Sequence, residues 1–151
     1  MGLLDAIEGP LLYLDTNIFI YAVESVPPFS DAMRELFRHI DDGHCQAVTS
    51  ELSLAECLVK PFLEGDMIRR RAFERAVQTS PVLQVIPISR TVLVSAAELR
   101  ARTGLKLPDA IHLATATHAG CATFLTNDRR FLVAPRLRTL VLSDFVSESS
   151  L

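Results

Sequence analysis

The sequence lacks tryptophan, has only three cysteines and contains no long uncharged apolar run. An odd number of cysteines without close spacing argues against both a disulfide framework and a zinc site. We expect free thiols that pack as small hydrophobic side chains in a reducing compartment. A membrane-spanning helix needs about 20 consecutive apolar residues, and no such stretch occurs. Because the N-terminus also lacks the basic segment that opens a signal peptide, the sequence predicts a cytoplasmic protein with no membrane partner.

Positive charge is also scarce. Lysine and arginine number 15 against 18 acidic residues, which gives a formal net charge of −3. This balance provides no global basic field and argues against a non-specific DNA coat. It does not exclude a nuclease, because a bound cation reverses the local charge of an acidic site. The densest basic cluster, Arg69–Arg71 with Arg75, is compatible with a solvated helix face or with an edge that contacts phosphates.

The composition is that of an ordinary globular protein, because 49% of the 151 residues are hydrophobic and 22% are charged. A chain of this length usually forms one domain. We therefore expect a single domain over residues 1–151, with a core over about residues 11–142 and a short frayed tail from Ser147 to Leu151.

Short apolar runs alternate with helical patterns along the chain. Strands are predicted at Leu11–Leu14, Gln46–Thr49, Leu83–Ile88, Thr123–Thr126 and Thr139–Leu142. Helices are predicted at Asn17–Glu24, Ser30–Asp42, Ser50–Leu63, Gly65–Gln78, Ser89–Thr103 and Pro108–Ala119, with a helical turn at Arg129–Leu132. Pro61 predicts a kink or break, and Pro87 shortens its strand or places it at a sheet edge. The alternation predicts an α/β fold with a central parallel sheet.

Four acidic residues occupy positions where ligands collect in α/β proteins. Asp15 and Asp128 each follow a predicted strand, Asp109 opens a predicted helix, and Glu56 lies within another. Ligands of open parallel sheets bind outside the carboxyl ends of the strands, so these side chains can converge there. A set of ligands rich in oxygen and poor in nitrogen and sulfur suits Mg²⁺ or Mn²⁺ rather than Zn²⁺.

Each of these acidic residues also has a purely structural explanation. Asp15 and Asp128 could cap the helices that follow them, and Glu56 could close a capping box with Ser53. Asp109 would be favoured in a first helical turn by the helix dipole. Four carboxylates gathered without a cation would repel one another, however, and a bound metal resolves that conflict. The joint pattern therefore favours a metal site over four separate caps.

Histidines contribute less to this prediction. His112 follows Asp109 by one helical turn and could face the site, although a polar packing role is the expected one. The other three, His39, His44 and His118, are expected at the surface. No pair has the spacing of a zinc-protease motif.

Together the motifs resemble those of PIN-domain ribonucleases, in particular the VapC toxins of toxin–antitoxin systems. The resemblance spans about residues 11–142 and rests on four motifs, which are Asp15-Thr16-Asn17, Ser50-x5-Glu56, Asp109-Ala110-x-His112-Leu113-Ala114 and Thr126-Asn127-Asp128. It implies a three-layer α/β/α PIN-like fold and endonucleolytic cleavage of RNA that depends on one or two Mg²⁺ or Mn²⁺ ions.

Carried over residue by residue, the resemblance also implies a site and partners. The catalytic and metal-binding carboxylates would be Asp15, Glu56, Asp109 and Asp128. The supporting polar residues would be Thr16, Asn17, Ser50, Thr126 and Asn127. The implied partners are a VapB-like antitoxin protein that blocks the acidic site and a second copy of the chain. The apolar residues Phe29, Met33, Phe37 and Phe62 could supply the contact surface of this homodimer or belong to the core.

Three alternatives stay open at this point. A phosphate-accepting receiver domain also binds Mg²⁺ beside an Asp that follows a strand, but it needs an adjacent acidic pair and a lysine after the last strand. Asp15 is followed by Thr16 and Asn17, and no lysine lies beyond Lys106. The others are a PIN-like binding module without activity and a metal-dependent nuclease that acts on DNA.

Overall fold

Strands and helices alternate along the chain in a computed structural model that describes residues 1–134 and 136–147. The strands are Leu11–Leu14 (β1), Gln46–Ser50 (β2), Leu83–Ile86 (β3), Thr123–Thr126 (β4) and Arg138–Val141 (β5). The α-helices are Leu3–Ala6 (α1), Thr16–Glu24 (α2), Ser30–Asp41 (α3), Glu51–Glu64 (α4), Met67–Ala76 (α5), Arg90–Thr103 (α6) and Leu107–Ala119 (α7). Short 3-10 helices cover Arg129–Val133 and Leu142–Asp144. The predicted frayed tail lies outside the described residues from position 148 onward.

The five strands form one parallel sheet in the order β3-β2-β1-β4-β5. Because every strand runs in the same direction, all five carboxyl ends meet at one edge. Strand β2 pairs with one side of β1, and β3 pairs with β2 beyond it. Strand β4 then pairs with the other side of β1. This reversal between β1 and β4 is the switch point at which α/β proteins bind ligands. Asp15 and Asp128 both follow strands that flank it.

Side chains of β1 alternate between the two faces of the sheet. Leu12 and Leu14 are buried in a cluster with residues of helices α2 to α5, whereas Tyr13 is buried on the opposite face with residues of α7. Helix α6 packs on α7 through a further cluster that contains Val92 and Ala96 of α6. The sheet is therefore covered on both faces, and the predicted three-layer α/β/α fold with a central parallel sheet is confirmed.

Several local predictions change in detail. Pro61 does not break α4, which continues to Glu64; the proline is buried in the last turn, where it removes a single backbone hydrogen bond. Helix α4 begins at Glu51 with Ser50 as its cap, so the alternative in which Glu56 closes a capping box with Ser53 is excluded. Strand β3 ends at Ile86 and lies at the sheet edge, as the neighbouring proline predicted.

The three cysteines are free and buried, as their spacing predicted. Within the described part of the chain, no helix combines the length and the apolar content that a bilayer crossing requires.

Candidate functional site

Asp15 is a buried acidic residue at the carboxyl end of β1, and its side chain is also the cap of α2. Its Oδ1 accepts a hydrogen bond from the backbone N–H of Thr16 at 2.8 Å. Its Oδ2 accepts from the hydroxyl of Thr126 at 2.7 Å and from Nδ2 of Asn17 at 3.3 Å. Burial raises the pKa of Asp15, and the nearby His112 ring and the hydrogen-bond donors oppose that shift. The residue therefore serves as a helix cap and as a fixed carboxylate at the switch point.

Glu56 reaches the same edge from α4, the helix that follows β2. Its Oε1 accepts hydrogen bonds from Nε2 of His112 at 2.6 Å and from the hydroxyl of Thr16 at 2.7 Å. The side chain remains 36% exposed. Burial alone would raise the pKa of Glu56, but the bonds from His112 and Thr16 lower it overall, so the carboxylate is held in its ionised form.

Asp109 lies in the first turn of α7. Its Oδ2 is 3.7 Å from the guanidinium of Arg130, and its side chain is 17% exposed. Burial raises the pKa of Asp109; Arg130 opposes this shift, whereas the negative charges of Asp128 and Asp15 reinforce it. The charges of three carboxylates thus act on one another across this edge.

Asp128 follows β4 and caps the short 3-10 helix. Its Oδ1 accepts hydrogen bonds from the backbone N–H and from Nε of Arg130, each at 3.0 Å, and its Oδ2 accepts from the same guanidinium. These bonds lower the pKa of Asp128. Arg130 therefore contacts two of the four acidic residues, while its side chain stays 58% exposed.

The four predicted carboxylates share one edge of the sheet but are held apart. Among residues 1–134 and 136–147, no three His, Cys, Asp or Glu side chains lie close enough to hold an ion together. Glu56 is bound to His112, and Asp128 is bound to Arg130. A cation that joined all four would have to draw Asp128 away from its arginine.

The predicted supporting residues divide into two groups. Thr16, Asn17 and Thr126 contact Asp15 directly. Ser50 instead caps α4 by accepting from the N–H of Leu52 at 3.0 Å. Asn127 donates to the hydroxyl of Tyr21 at 3.1 Å and accepts from the backbone N–H of Ser143 at 2.9 Å. These last two side chains hold neighbouring elements in place and contact none of the four carboxylates within the described chain.

His112 belongs to the site more closely than the sequence predicted. Its ring is buried, contacts Glu56 and lies 3.8 Å from Oδ1 of Asp15. In the sequence, the feature that indicated a position near the site was the spacing of one helical turn between Asp109 and His112. The predicted role as a polar packing residue describes only part of what His112 does. Two further residues, Thr49 and Ser53, add a buried pair of hydroxyls 2.7 Å apart that was not predicted.

The arginine cluster of α5 is largely engaged within the protein. Arg69 lies within 4 Å of the carboxylates of Glu24, Glu64 and Asp66, at 3.7, 3.1 and 3.6 Å. Arg70 pairs with a glutamate one turn along the helix at 2.8 Å. These contacts favour the interpretation of the cluster as a solvated helix face over that of a phosphate-binding edge.

The donor set suits a hard divalent cation. It consists of carboxylate oxygens, and the amide oxygen of Asn17 is a buried atom that has no hydrogen-bond partner in the described structure. Carboxylate and amide oxygens are the ligands that Mg²⁺ and Mn²⁺ prefer. Cys57 is the nearest thiol in sequence to Glu56, but burial raises its pKa to about 12, so it is not a competing thiolate ligand.

Solved structures with the same fold include several from toxin–antitoxin systems. VapBC2 from Rickettsia felis, bound to a DNA fragment from its promoter, is 20% identical, with a TM-score of 0.68 over 87% of this chain and 98% of that one. A toxin–antitoxin complex from Klebsiella pneumoniae is 25% identical, with a TM-score of 0.62 over 87% of this chain and 97% of that one. The sarcin–ricin-loop-cleaving toxin VapC20 from Mycobacterium tuberculosis is 18% identical, with a TM-score of 0.63 over 83% of this chain and 96% of that one.

Comparisons of the sequence give a more specific result from a family profile than from individual proteins. A comparison with curated proteins yields no significant match. The family profile of the PIN domain, in contrast, matches residues 12–137, which include all four acidic residues of the site. The chain therefore belongs to the PIN-domain family.

Proposed function

We propose that this chain is a single-domain, metal-dependent endoribonuclease that hydrolyses phosphodiester bonds, and that it is the toxin of a VapBC-type pair. The observation that supports the proposal is the placement of four acidic residues along one edge of the sheet, where Asp15 is buried and the charges of Asp15 and Asp128 act on Asp109. Membership of the PIN-domain family supports nuclease chemistry, and the similar toxin structures support the biological role.

The residues that would hold one or two Mg²⁺ or Mn²⁺ ions are the four carboxylates, with Asp15 and Asp109 as direct ligands. Glu56 and Asp128 would bind directly or through water. When bound, a divalent cation would neutralise the scissile phosphate and lower the pKa of the water that attacks it. The raised pKa values of Asp15 and Asp109 fit this role, because a bound cation would offset the repulsion between carboxylates and the desolvation cost that disfavour their ionised forms.

The chain's own groups supply the arrangement in which the reaction occurs. Asp15 is fixed by three donors and provides a rigid ligand at the end of β1. Arg130 is exposed beside the carboxylates, where its guanidinium can bind an RNA phosphate once it leaves Asp128. No side chain needs to act as a covalent nucleophile. Catalysis in such a site rests on positioning and on electrostatic stabilisation of the charge that develops on the phosphate.

The proposed partners are an RNA substrate, a VapB-like antitoxin and a second copy of the chain, all in the cytoplasm. The toxin–antitoxin complex from Klebsiella pneumoniae supports the antitoxin. Of the aromatic and aliphatic residues suggested for a dimer surface, Met33 is buried, and Phe29 and Phe37 pack against the core. Phe62, which is 58% exposed, is the most accessible of the four for such a contact.

Cleavage assays with purified protein test this function. RNA and single-stranded DNA of the same sequence are incubated with Mn²⁺, with Mg²⁺ or with EDTA. We expect RNA to be cut with either metal, and we expect EDTA or Asp109→Asn to abolish cutting. Asp144→Asn is the matched control, because Asp144 is an exposed carboxylate that pairs with Arg129 outside the site. Equal cutting by Asp109→Asn would contradict the proposal, and preferential cutting of DNA would reassign the substrate.

A further inference from the structure

His112 links three elements through hydrogen bonds although its side chain is only 1% exposed. Its Nδ1 lies 2.6 Å from the hydroxyl of Tyr13 on β1, and its Nε2 lies 2.6 Å from Oε1 of Glu56 on α4. The same Nε2 is 3.2 Å from the hydroxyl of Thr16 at the start of α2. A buried histidine with partners on both ring nitrogens is fixed in position and in rotation.

The chemistry of the partners sets the direction of these bonds. The carboxylate of Glu56 can only accept, so Nε2 of His112 carries the proton and donates it. In the neutral ring, Nδ1 then accepts from the hydroxyl of Tyr13. Burial raises the pKa of Tyr13 well above its ordinary value, which keeps this hydroxyl protonated and able to donate. With the ring neutral, hydrogen bonds therefore run in one direction, from Tyr13 through His112 to Glu56.

Both bonds to Glu56, from His112 and from Thr16, end on Oε1. Among the described residues, none donates a hydrogen bond to Oε2, and the side chain is 36% exposed. A glutamate at such a position would otherwise sample many rotamers in solvent. The two donors restrict it to one orientation in which one oxygen is occupied and the other is free for a ligand.

We infer that Tyr13 and His112 are positioning residues that hold Glu56 for cation binding through Oε2. The inference rests on the proposed function, because it requires that the acidic edge binds a cation. Outer partners of this kind orient metal ligands, and their loss typically weakens metal binding by about tenfold to hundredfold. A histidine that only filled space would stabilise the fold without being coupled to Glu56.

Calorimetric titration of the full chain with Mn²⁺, in the absence of RNA, tests this coupling. His112→Leu fills similar volume without a donor and should weaken Mn²⁺ binding by about tenfold or more. His112→Gln places an amide donor near the position of Nε2 and should restore most of the affinity. His118→Asn should bind Mn²⁺ like the wild type, because His118 lies on the same helix but is exposed and contacts Ser95.

The decisive comparison uses a Glu56→Gln background. Two residues that act through one contact show non-additive effects, so His112→Leu should cause no further loss of Mn²⁺ affinity there. Tyr13→Phe keeps the ring stacked on Phe124, at 4.9 Å between centroids, and serves as the second variant if His112→Leu fails to fold. It should weaken binding in the same direction, and this effect should also vanish beside Glu56→Gln.

The possible failures are distinguishable. If the wild type binds Mn²⁺ but the folded His112 and Tyr13 variants bind it equally well, or if their losses persist in the Glu56→Gln background, the positioning role is overturned and the metal site stands. If the wild type binds no Mn²⁺, both the metal site and the positioning role are overturned.

Discussion

Thr126 joins the two strand ends that flank the switch point, and replacing it with valine should cost considerable stability. The residue is fully buried at the end of β4. Its hydroxyl donates to Oδ2 of Asp15 at 2.7 Å and accepts from the backbone N–H of Asp128 at 3.0 Å. Valine has nearly the same shape, so Thr126→Val removes these two bonds with little change in packing.

The magnitude follows from the charge of Asp15. A hydrogen bond to a charged group contributes about 1.5–3 kcal/mol, and the orphaned N–H of Asp128 adds about 1 kcal/mol. We expect the free energy of unfolding of Thr126→Val to fall by about 3 kcal/mol in the absence of metal. For a chain of this size, that loss corresponds to a decrease in Tm of roughly 6–12 °C.

The loss should depend on pH because the Thr126 hydroxyl favours the ionised form of Asp15. Burial raises the pKa of Asp15, and the bond from Thr126 opposes that rise, so Thr126→Val raises the pKa further. The variant then binds a proton more readily in the folded state. Its deficit in stability is therefore complete above the folded pKa values of Asp15 and shrinks as the pH falls through them.

Denaturant unfolding at neutral and mildly acidic pH measures both effects. Thr126→Ser keeps the hydroxyl and should lose little. Thr115→Val is the matched control, because Thr115 is equally buried but its hydroxyl donates only to the carbonyl of Ile111. A loss in Thr126→Val no larger than in Thr115→Val, or a deficit that does not shrink in acid, would refute the role assigned to this hydroxyl.

Two further predictions concern groups around and behind the site. Arg130→Gln should bind Mn²⁺ more tightly than the wild type, because the variant lacks the guanidinium that competes with the cation for Asp109 and Asp128. Arg129→Gln should bind Mn²⁺ like the wild type, because Arg129 pairs with Asp144 instead. Equal calorimetric affinities in both variants would exclude this competition. Burial raises the pKa of Cys57 and of Cys121 to about 12. Both thiols should therefore resist a disulfide reagent at neutral pH in the native protein and react in denaturant, and rapid native labelling would show that the core opens.

Local sequence patterns were sufficient to predict the α/β class and the central parallel sheet. Strand β1 is a short apolar run whose flanks carry the signals of a turn and of a helix start, and the later strands follow the same rule. Alternation of such runs with helices leaves a parallel sheet as the arrangement that buries every strand. The order of the strands was not predicted, because it depends on packing between residues that are distant in the sequence.

The acidic residues of the site were predictable for the same reason. Asp15 directly follows β1, Asp128 lies two residues beyond β4, and Asp109 lies in the first turn of α7, so their positions depend on local structure alone. The contact between Glu56 and His112 depends on how α4 packs beside α7, and no local pattern encodes that distance. Sequence reasoning therefore predicted where the four carboxylates lie in the fold, but not that a histidine binds one of them.

The predictions for Ser50 and Asn127 show a second limit. Both residues adjoin the site in sequence, yet successive side chains in an extended segment point in opposite directions. Ser50 turns to cap α4, and Asn127 turns toward Tyr21 and Ser143, whereas Thr126 points to Asp15. Proximity in a motif thus predicted the neighbourhood of these residues but not their contacts.

The most direct test of the proposed metal site is anomalous diffraction from crystals grown with Mn²⁺. We expect an anomalous peak at the carboxyl edge of the sheet, in contact with oxygens of Asp15 and Asp109, and we expect Asp109→Asn to weaken or abolish it. A peak held by residues outside the acidic quartet, or no peak at an edge that is open to solvent in the crystal, would contradict the assignment of this edge as a cation-dependent active site.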